Sequence, residues 1–205
     1  MILYHSPYSR SSTMITLLKE LGAPAESQVE VKIVSIRRSD GTGQPDPSNP
    51  HPEGKVPYLV NGADHVRERG AITTYLCEAF PQAGFAPMPG DPKRGQFLSW
   101  MAYYQGVMEP VLVAQFCEID HPAYYATFRG LPEICATIRA ALEGQDYLLG
   151  DKYSAADLLI ASPFLFFTDL VPDDPVVAGW IARCGARHAV KATAQADQAE
   201  LAAMT

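Results

Sequence analysis

Apolar residues change their spacing once along this 205-residue chain, and the change divides it into two parts. In the first 80 residues, short apolar runs typical of strands alternate with segments in which apolar residues recur every three to four positions, as in an amphipathic helix. The predicted order is a strand over residues 2–5, a helix ending near 21, a strand over 29–36, a loop over 39–52, two strands and a helix over 69–80. One crossover and one hairpin in this order predict a small mixed sheet with helices packed on it.

After residue 92 the strand signals disappear and the apolar positions follow helical spacing. Residues 81–92 hold four prolines and two glycines, a composition typical of a linker. The sequence therefore predicts a first domain over residues 1–80, a linker over 81–92 and an all-helical domain over 93–205. The predicted helices of the second domain cover residues 93–118, 121–143, 154–170, 174–185 and 187–203. Pro110 should kink the first of these, and the alanine-rich last one is expected to be exposed.

The stretch from His51 to Ile72 is the most informative part of the chain. A residue before proline avoids the helical region, so Val56 should be extended and its backbone groups available for pairing. Asn61-Gly62 between two apolar segments predicts a tight hairpin. An exposed backbone edge, a hairpin and a helix start then lie close together, a combination that can hold a small peptide with a carboxylate end.

Composition and charge narrow the classes of function. Apolar residues make up 47% of the chain, and the formal net charge of −7 argues against nucleic-acid and anionic-membrane partners, which need a basic excess. No apolar run reaches the length of a membrane span, and the first residues do not have the pattern of a signal peptide. The cysteines are scattered without a Cys-x-x-Cys pair, so no metal site is expected, and they are interpreted as buried reduced thiols of a cytoplasmic protein. These cysteines are Cys77, Cys117, Cys135 and Cys184.

Ser154 and Asp157 precede an apolar run and form a capping-box pattern, with aspartate in place of the usual Glu or Gln. This cap is the last of four ordered motifs by which the chain resembles the cytosolic glutathione S-transferase family, bacterial type, over essentially its whole length. The other three are SPYSRSS after strand one, HPEGKVPYLV, and the helix start ERGAITTYL. The resemblance implies a thioredoxin-like N-terminal domain with a four-stranded mixed sheet, followed by an all-helical C-terminal bundle. It also implies a homodimer, glutathione as cosubstrate and a cis Pro57.

The chemistry of this family requires a glutathione thiolate at neutral pH. A thiol pKa, near ~8.5 in isolation, falls when a helix N-terminus and hydroxyl donors face the sulfur. The turn that precedes helix one supplies free N–H groups and the hydroxyls of Tyr8, Ser9 and Ser11. We therefore predict that one of these three activates the thiol, although a serine here could equally be a plain helix cap.

The position of each hydroxyl relative to Gly22 allows a ranking by resemblance. Ser11 matches the serine that follows the cysteine of cysteine-type bacterial members, and Arg10 occupies that cysteine's place. Tyr8 lies near the serine of serine-type classes, and Tyr4 near the tyrosine of tyrosine-type classes. We rank Ser11 and Ser9 first, then Tyr8, then Tyr4, whose alternative is a core position in the strand.

The resemblance also implies which residues bind glutathione. They are His51, Lys55, Val56, Pro57, Glu68 and Arg69. The Val56–Pro57 backbone would pair with the cysteinyl part as an added strand, and Glu68 with the next backbone N–H would hold the γ-glutamyl end. Arg69 replaces the serine usual in the family, and it could pair with a carboxylate or crowd the pocket. His51 and Lys55 could meet the glycyl carboxylate or be solvated, and Arg37 and Arg38 are expected to be solvated loop charges.

An acceptor pocket for a small hydrophobic electrophile is expected between the first loop and the fourth helix. Its candidate residues are Tyr103, Tyr104, Met108 and Phe116, and the alternative is that this stripe is core. The leading hypothesis is a detoxifying glutathione transferase, with a possible peroxidase side activity. The alternatives are a non-enzymatic interaction or regulatory protein of the same fold, and a glutathione-dependent isomerase or ether-cleaving enzyme.

Overall fold

A computed structural model describes residues 1–204. The chain divides into two compact units. The first unit contains Met1–Phe85 together with the residues from Arg187 onward, and the second contains Ala86–Ala186.

A four-stranded mixed sheet forms the centre of the first unit. Its strands are β1 (Ile2–His5), β2 (Glu30–Ile33), β3 (Tyr58–Asn61) and β4 (Asp64–Arg67). They lie in the order β2-β1-β3-β4, with β1 parallel to β2 and antiparallel to β3, and with β3 antiparallel to β4. The predicted sheet is thus confirmed.

The register of the sheet decides where the loops of the first unit meet. Tyr4 lies opposite Tyr58, which lies opposite Arg67, and His5 lies beside Ile33. The end of β1, the end of β2, the start of β3 and the end of β4 therefore lie at one edge of the sheet. The segments that follow β1, β2 and β4 begin at this edge. The segment that precedes β3 ends at it.

Four helices complete the first unit: α1 (Ser12–Leu21), α2 (Ala23–Gln28), α3 (Arg69–Ala79) and α10 (His188–Met204). The sequence pattern does not predict α2, because Gly22 and Pro24 favour the end of a helix. Gly22 does end α1, with a φ of 85° that suits glycine. Pro24 then lies in the first turn of α2, where its missing N–H leaves no bond unmade.

The last helix, α10, is exposed over most of its surface, as its composition suggests, but one face of it is buried. Ala189, Thr193 and Asp197 recur every four residues and are buried, and α10 packs against α1. Thr16 donates a hydrogen bond from Oγ1 to Thr193 Oγ1 over 3.0 Å. The sequence-based domain 93–205 includes this helix, whereas in the structure it lies in the first unit; residue 205 is outside the described residues.

The second unit is built from helices. They are α4 (Arg94–Tyr103), a π-helical turn (Tyr104–Met108), α5 (Glu109–Phe116), α6 (Pro122–Thr127), α7 (Leu131–Ala141), α8 (Ala155–Phe166) and α9 (Pro175–Gly185). The π turn ends at Met108, two residues before Pro110, which has no N–H to continue the regular helical bonding. The helix type therefore changes near Pro110, and the predicted kink stays a prediction.

Asp157 joins three segments of the second unit. Its Oδ2 accepts hydrogen bonds from the backbone N–H of Ser154 (2.9 Å) and from the Ser154 hydroxyl (2.8 Å). Its Oδ1 accepts from the Leu148 N–H (2.8 Å) and from Trp180 Nε1 (2.9 Å). The capping box at the start of α8 is confirmed. The carboxylate is fully buried, and this burial raises its pKa.

The expectation of four buried cysteines is wrong in part. Cys77 and Cys184 are buried, Cys135 is half-buried and Cys117 is exposed. Cys117 follows the last residue of α5, where the chain leaves its helix. Burial raises the pKa of the Cys135 thiol.

Candidate functional site

Three segments that carry predicted site residues begin at the same edge of the sheet. They are the loop between β1 and α1, the Val56–Pro57 peptide before β3, and Glu68 after β4. The Val56–Pro57 peptide is cis, as expected. Among the described residues, three non-glycine residues have a positive φ, and two of them, Tyr8 and Glu68, lie in these segments. Such backbone conformations are costly and cluster at functional sites.

Ser11 is the centre of the loop between β1 and α1. Its Oγ lies 2.7 Å from His5 Nδ1 and 2.7 Å from Ser9 Oγ, and it accepts a hydrogen bond from the Ser6 N–H over 3.0 Å. The side chain makes no capping bond to α1 and its residue is 0% exposed. The hydroxyl of Ser11 thus points into the base of the loop.

Ser9 and Tyr8 are the accessible hydroxyl residues of the predicted trio. Tyr8 is 44% exposed, and its φ is 52°. Ser9 is half-buried, and its hydroxyl donates to the Ser6 carbonyl over 2.7 Å while it also faces Ser11. A ligand thiol at this loop would meet Ser9 or Tyr8 before it met Ser11.

Asp197 from α10 holds the same loop, and the sequence patterns did not point to it. Its Oδ2 accepts hydrogen bonds from the Tyr8 N–H (2.9 Å) and from the Ser12 hydroxyl, and its Oδ1 lies 3.3 Å from His5 Nε2. Burial opposes ionisation of this carboxyl, but the bonds from His5, Ser12 and Tyr8 outweigh burial and lower its pKa. The Ala189, Thr193 and Asp197 spacing was the available signal for a buried face.

Arg38 is not the solvated loop charge that was expected. Its guanidinium donates hydrogen bonds to the Pro7 carbonyl (2.8 Å), the Ser6 hydroxyl (3.3 Å) and the Tyr8 carbonyl (3.3 Å). The parallel pairing of β1 and β2 places the segment after β2 beside the segment after β1, which brings Arg38 within reach. Arg37 is exposed.

The backbone at Val56 is available for pairing. Within residues 1–204, no hydrogen bond engages its N–H or C=O, whereas the neighbouring Lys55 carbonyl accepts from Asn49 over 3.1 Å. The Val56 side chain lies in a core cluster with Tyr4, Val34 and Tyr58. Tyr4 therefore occupies the core position that was its alternative role.

His51 and Lys55 differ in their surroundings. His51 is buried. Its ring Nδ1 accepts a hydrogen bond from the Glu53 N–H (3.0 Å), and its backbone N–H donates to Asn49 Oδ1 (3.1 Å). Burial lowers its pKa, which favours the neutral ring. Lys55 is exposed and forms a salt bridge with Glu53.

Glu68 and Arg69 stand at the start of α3. Glu68 is the exposed N-cap residue, with a φ of 71°. Arg69 is only 6% exposed, and its guanidinium donates to Thr13 Oγ1 on α1 over 3.3 Å. The arginine in place of the usual serine therefore packs within the first unit.

The predicted acceptor residues of the second unit have dissimilar environments. Tyr104 and Met108 are fully buried, which is typical of core, whereas Tyr103 is half-buried and Phe116 is 73% exposed. The structure does not bring the four into one exposed surface.

Comparison with known protein families agrees with this arrangement. The N-terminal domain of glutathione S-transferases matches residues 3–84, and the C-terminal domain of the same family matches residues 94–187. The chain belongs to the glutathione S-transferase family. The N-terminal match contains every segment of the candidate site except Asp197.

Several glutathione S-transferases of known sequence or structure are similar to it. Glutathione S-transferase F14 of Arabidopsis thaliana is 29% identical over 158 residues, which are 68% of this chain and 62% of that relative. A glutathione S-transferase of Hyoscyamus muticus is 25% identical over 190 residues, 84% of this chain and 90% of that protein. The chain thus spans about six tenths of the Arabidopsis relative.

Solved structures show the same fold. BphK, a bacterial glutathione S-transferase solved as a ternary complex, has a TM-score of 0.76 and 25% identity, over 97% of this chain and all of that one. A sphingomonad glutathione S-transferase solved with glutathione has a TM-score of 0.75 and 24% identity, over 97% of this chain and 99% of that one.

Residues 1–204 contain no cluster of three or more His, Cys, Asp or Glu side chains placed to hold a metal ion. In the same part of the chain, every helix is too short or too polar to cross a bilayer.

Proposed function

We propose that this member of the family is a glutathione transferase, which binds glutathione at the described edge of the sheet and directs its thiolate at a hydrophobic electrophile. The observation that carries the proposal is the open Val56 backbone before the cis proline, at the same edge as the loop hydroxyls and the start of α3. A backbone edge, a helix N-terminus and hydroxyl donors are what a tripeptide thiol requires.

The peptide part of glutathione fits the residues on one side of the site. The Val56 N–H and C=O would pair with the cysteinyl backbone as an added strand, and Pro57 would fix their direction. The γ-glutamyl end carries an amine and a carboxylate, which suit the Glu68 carboxylate and the positive N-terminal end of α3. The remaining glycyl carboxylate would meet Lys55, with His51 beside it.

Arg69 has a supporting role in this proposal. Its guanidinium is buried and bonded to Thr13, so it fixes the N-terminus of α3 against α1. Its backbone N–H, at the first helical position, would still face the γ-glutamyl carboxylate.

In this proposal the Ser9 hydroxyl donates the main hydrogen bond to the glutathione thiolate. Tyr8 is the second donor, and Ser11 orients Ser9. Hydroxyl donors at the N-terminus of α1 favour the anion and so lower the thiol pKa. The thiolate then forms a carbon–sulfur bond with the electrophile, whose leaving group departs with its electron pair. Holding both reactants together supplies the rest of the rate gain. Tyr103 and Phe116 remain candidates for acceptor contact, and a homodimer is the assembly we propose.

The test combines binding and turnover. Glutathione should bind in isothermal titration calorimetry, and the protein should conjugate it to an activated aryl halide. Ser9→Ala should lower kcat/KM by roughly 10–100-fold, since it removes one donor to an anion, and Tyr8→Phe should have a smaller effect. Ser27→Ala, an exposed serine on α2, serves as the matched control and should leave turnover unchanged.

The outcomes separate the hypotheses. Absence of binding at millimolar glutathione contradicts the proposal. Binding without thiolate absorbance or turnover would favour a non-enzymatic protein of the same fold.

A further inference from the structure

We propose that His5, backed by Asp197, is the acceptor of the glutathione thiol proton, which reaches it through the hydroxyls of Ser9 and Ser11. The inference rests on the proposed function and adds two residues to it that lie outside the predicted site. His5 and Asp197 act through the serines, so we regard them as positioning and relay residues.

The four residues form a continuous chain of hydrogen bonds. Ser9 Oγ lies 2.7 Å from Ser11 Oγ, which lies 2.7 Å from His5 Nδ1. On the far side of the ring, His5 Nε2 lies 3.3 Å from Asp197 Oδ1. Ser11, His5 and Asp197 are buried, and only Ser9 reaches the surface. This series of hydrogen bonds therefore leads from the accessible hydroxyl of Ser9 to the buried carboxylate of Asp197.

The partners of the imidazole fix the direction of the bonds. A carboxylate at Nε2 requires the proton of a neutral ring to be on Nε2, which leaves Nδ1 as an acceptor. The Ser11 O–H then donates to Nδ1 rather than to the Ser6 carbonyl, which lies 3.2 Å away. For the relay, the Ser9 O–H turns from the Ser6 carbonyl to the Ser11 oxygen, each of which lies 2.7 Å from Ser9 Oγ. In this arrangement the Ser9 oxygen accepts from the Ser11 N–H with one lone pair and presents the other to a thiol placed at the loop.

Proton transfer from the thiol to His5 along these hydrogen bonds balances without any further reactant. The S–H bond breaks and its electron pair stays on sulfur, while the proton passes to the Ser9 oxygen. Ser9 passes its own proton to Ser11, and Ser11 passes its own to His5 Nδ1. Both hydroxyls are restored, and the new imidazolium is paired with the Asp197 carboxylate at Nε2.

The two oxygens of the Asp197 carboxylate have different partners, and a residue that only anchored the loop would not need the second of them to face His5. Oδ2 of Asp197 already anchors the loop through the Tyr8 N–H and the Ser12 hydroxyl, and Oδ1 is left to face the imidazole. Other charged groups also contact the loop and its surroundings. Arg38, from the segment after β2, donates to Ser6, and its charge opposes an imidazolium nearby. The carboxylate of Asp197, in direct contact with the ring, offsets that repulsion.

Arg69, from α3, donates to Thr13 on α1. Of the charged groups described at the loop, Asp197 contacts His5 directly and Arg38 contacts its neighbour Ser6.

The experiment measures the thiol pKa of bound glutathione by ultraviolet absorbance near 240 nm, together with the pH profile of kcat/KM. His5→Gln and Asp197→Asn should each keep the glutathione Kd within about threefold and raise the thiol pKa by about one unit. Such a shift corresponds to a roughly tenfold loss of thiolate below the pKa. The loss of kcat/KM should be largest near pH 6.5 and should disappear at alkaline pH, where the thiol ionises unaided.

Two further variants separate the relay from mere support. Glu20→Gln weakens the bidentate pair with Arg187 (2.5 and 2.6 Å), which joins the residue just before α10 to α1 and does not involve His5, Ser9, Ser11 or Asp197. It should weaken folding and leave the thiol pKa unchanged. Ser11→Ala keeps the His5–Asp197 contact and should raise the thiol pKa as His5→Gln does, so the test stands even if Asp197→Asn fails to fold.

An unchanged thiol pKa in His5→Gln and Ser11→Ala would overturn the relay, as would an equal shift in Glu20→Gln. These results differ from failure of the proposed function, in which the wild-type protein would not bind glutathione.

Discussion

Replacement of Asp157 by alanine should remove a large share of the stability of the second unit. The carboxylate accepts hydrogen bonds from the Leu148 N–H, the Ser154 N–H and Trp180 Nε1, all of which belong to buried residues. A buried donor left without a partner costs about 1–3 kcal/mol. Three such donors predict a loss of about 4 kcal/mol, after some relief by water. For a chain of this size the loss corresponds to a drop in Tm of about 8–16 °C.

Two more substitutions, one at Asp157 and one at Ser154, divide this loss of stability among the hydrogen bonds. Asp157→Asn keeps an oxygen for Leu148 and Trp180 and loses only the bonds to Ser154. Because burial raises the pKa of Asp157, the neutral amide also avoids the cost of burying a charge. We therefore expect about 1–2 kcal/mol for asparagine, and about 1 kcal/mol for Ser154→Ala, which removes one hydroxyl bond.

The assay is urea unfolding at pH 7, followed by circular dichroism and by the fluorescence of the two tryptophans, Trp100 and Trp180, which both lie in the second unit. Asp173→Ala, at an exposed aspartate of the same unit, is the control and should lie within about 0.5 kcal/mol of wild type. If Asp157→Ala lost less than about 1 kcal/mol, or less than Asp157→Asn, the assignment of this carboxylate as a hydrogen-bond centre would be wrong.

Three further predictions concern single residues. Asp197 has a lowered pKa in the folded chain, so its ionised form adds stability above about pH 4 that is lost as the pH falls through the folded value. The difference in unfolding free energy between wild type and Asp197→Asn should therefore be constant from pH 5 to 8 and shrink below pH 4; a difference that grows in acid would contradict this sign. Arg69→Met should cost about 2 kcal/mol of stability and change the glutathione Kd less than about threefold, since the guanidinium bonds to Thr13; a tenfold loss of affinity at unchanged stability would place the guanidinium on the ligand. Cys117 should react with a disulfide reagent within seconds while Cys77 and Cys184 stay protected, and Cys117→Ser should abolish the fast phase.

The elements of the fold could be predicted from sequence because their signals are local. Val56–Pro57 and the Ser154-to-Asp157 cap each act within a few residues and lie where the pattern placed them. The predicted Asn61-Gly62 hairpin is present with its turn one residue later, at Gly62-Ala63, because Asn61 still pairs with Asp64. Helix α2 was missed because its local signal is ambiguous. Pro24 is compatible with both a helix end and a helix start.

The hydrogen-bond partners of the candidate site could not be predicted in this way. His5 and Asp197 are 192 residues apart, and their contact exists only because α10 packs on α1. Likewise, Arg38 reaches the loop through the parallel pairing of β1 and β2, which no local pattern records. The candidate hydroxyls could be predicted from the SPYSRSS motif, but their order of accessibility depends on how the loop folds around Ser11.

Because α10 lies late in the sequence, the loop before α1 lacks its Asp197 contacts during most of the synthesis of the protein. Residues up to Phe85 leave the ribosome early, but Asp197, which holds the loop before α1, follows about 110 residues later. At roughly 5–20 residues per second, the completed segment up to Phe85 waits about 6–22 s for this carboxylate. During that interval the face of α1 that α10 later covers is exposed in the nascent first unit, and exposed surface of this kind promotes aggregation. A ribosome stalled before Asp197 would hold a chain that carries the whole predicted glutathione-binding sequence but not the anchor of its hydroxyl loop.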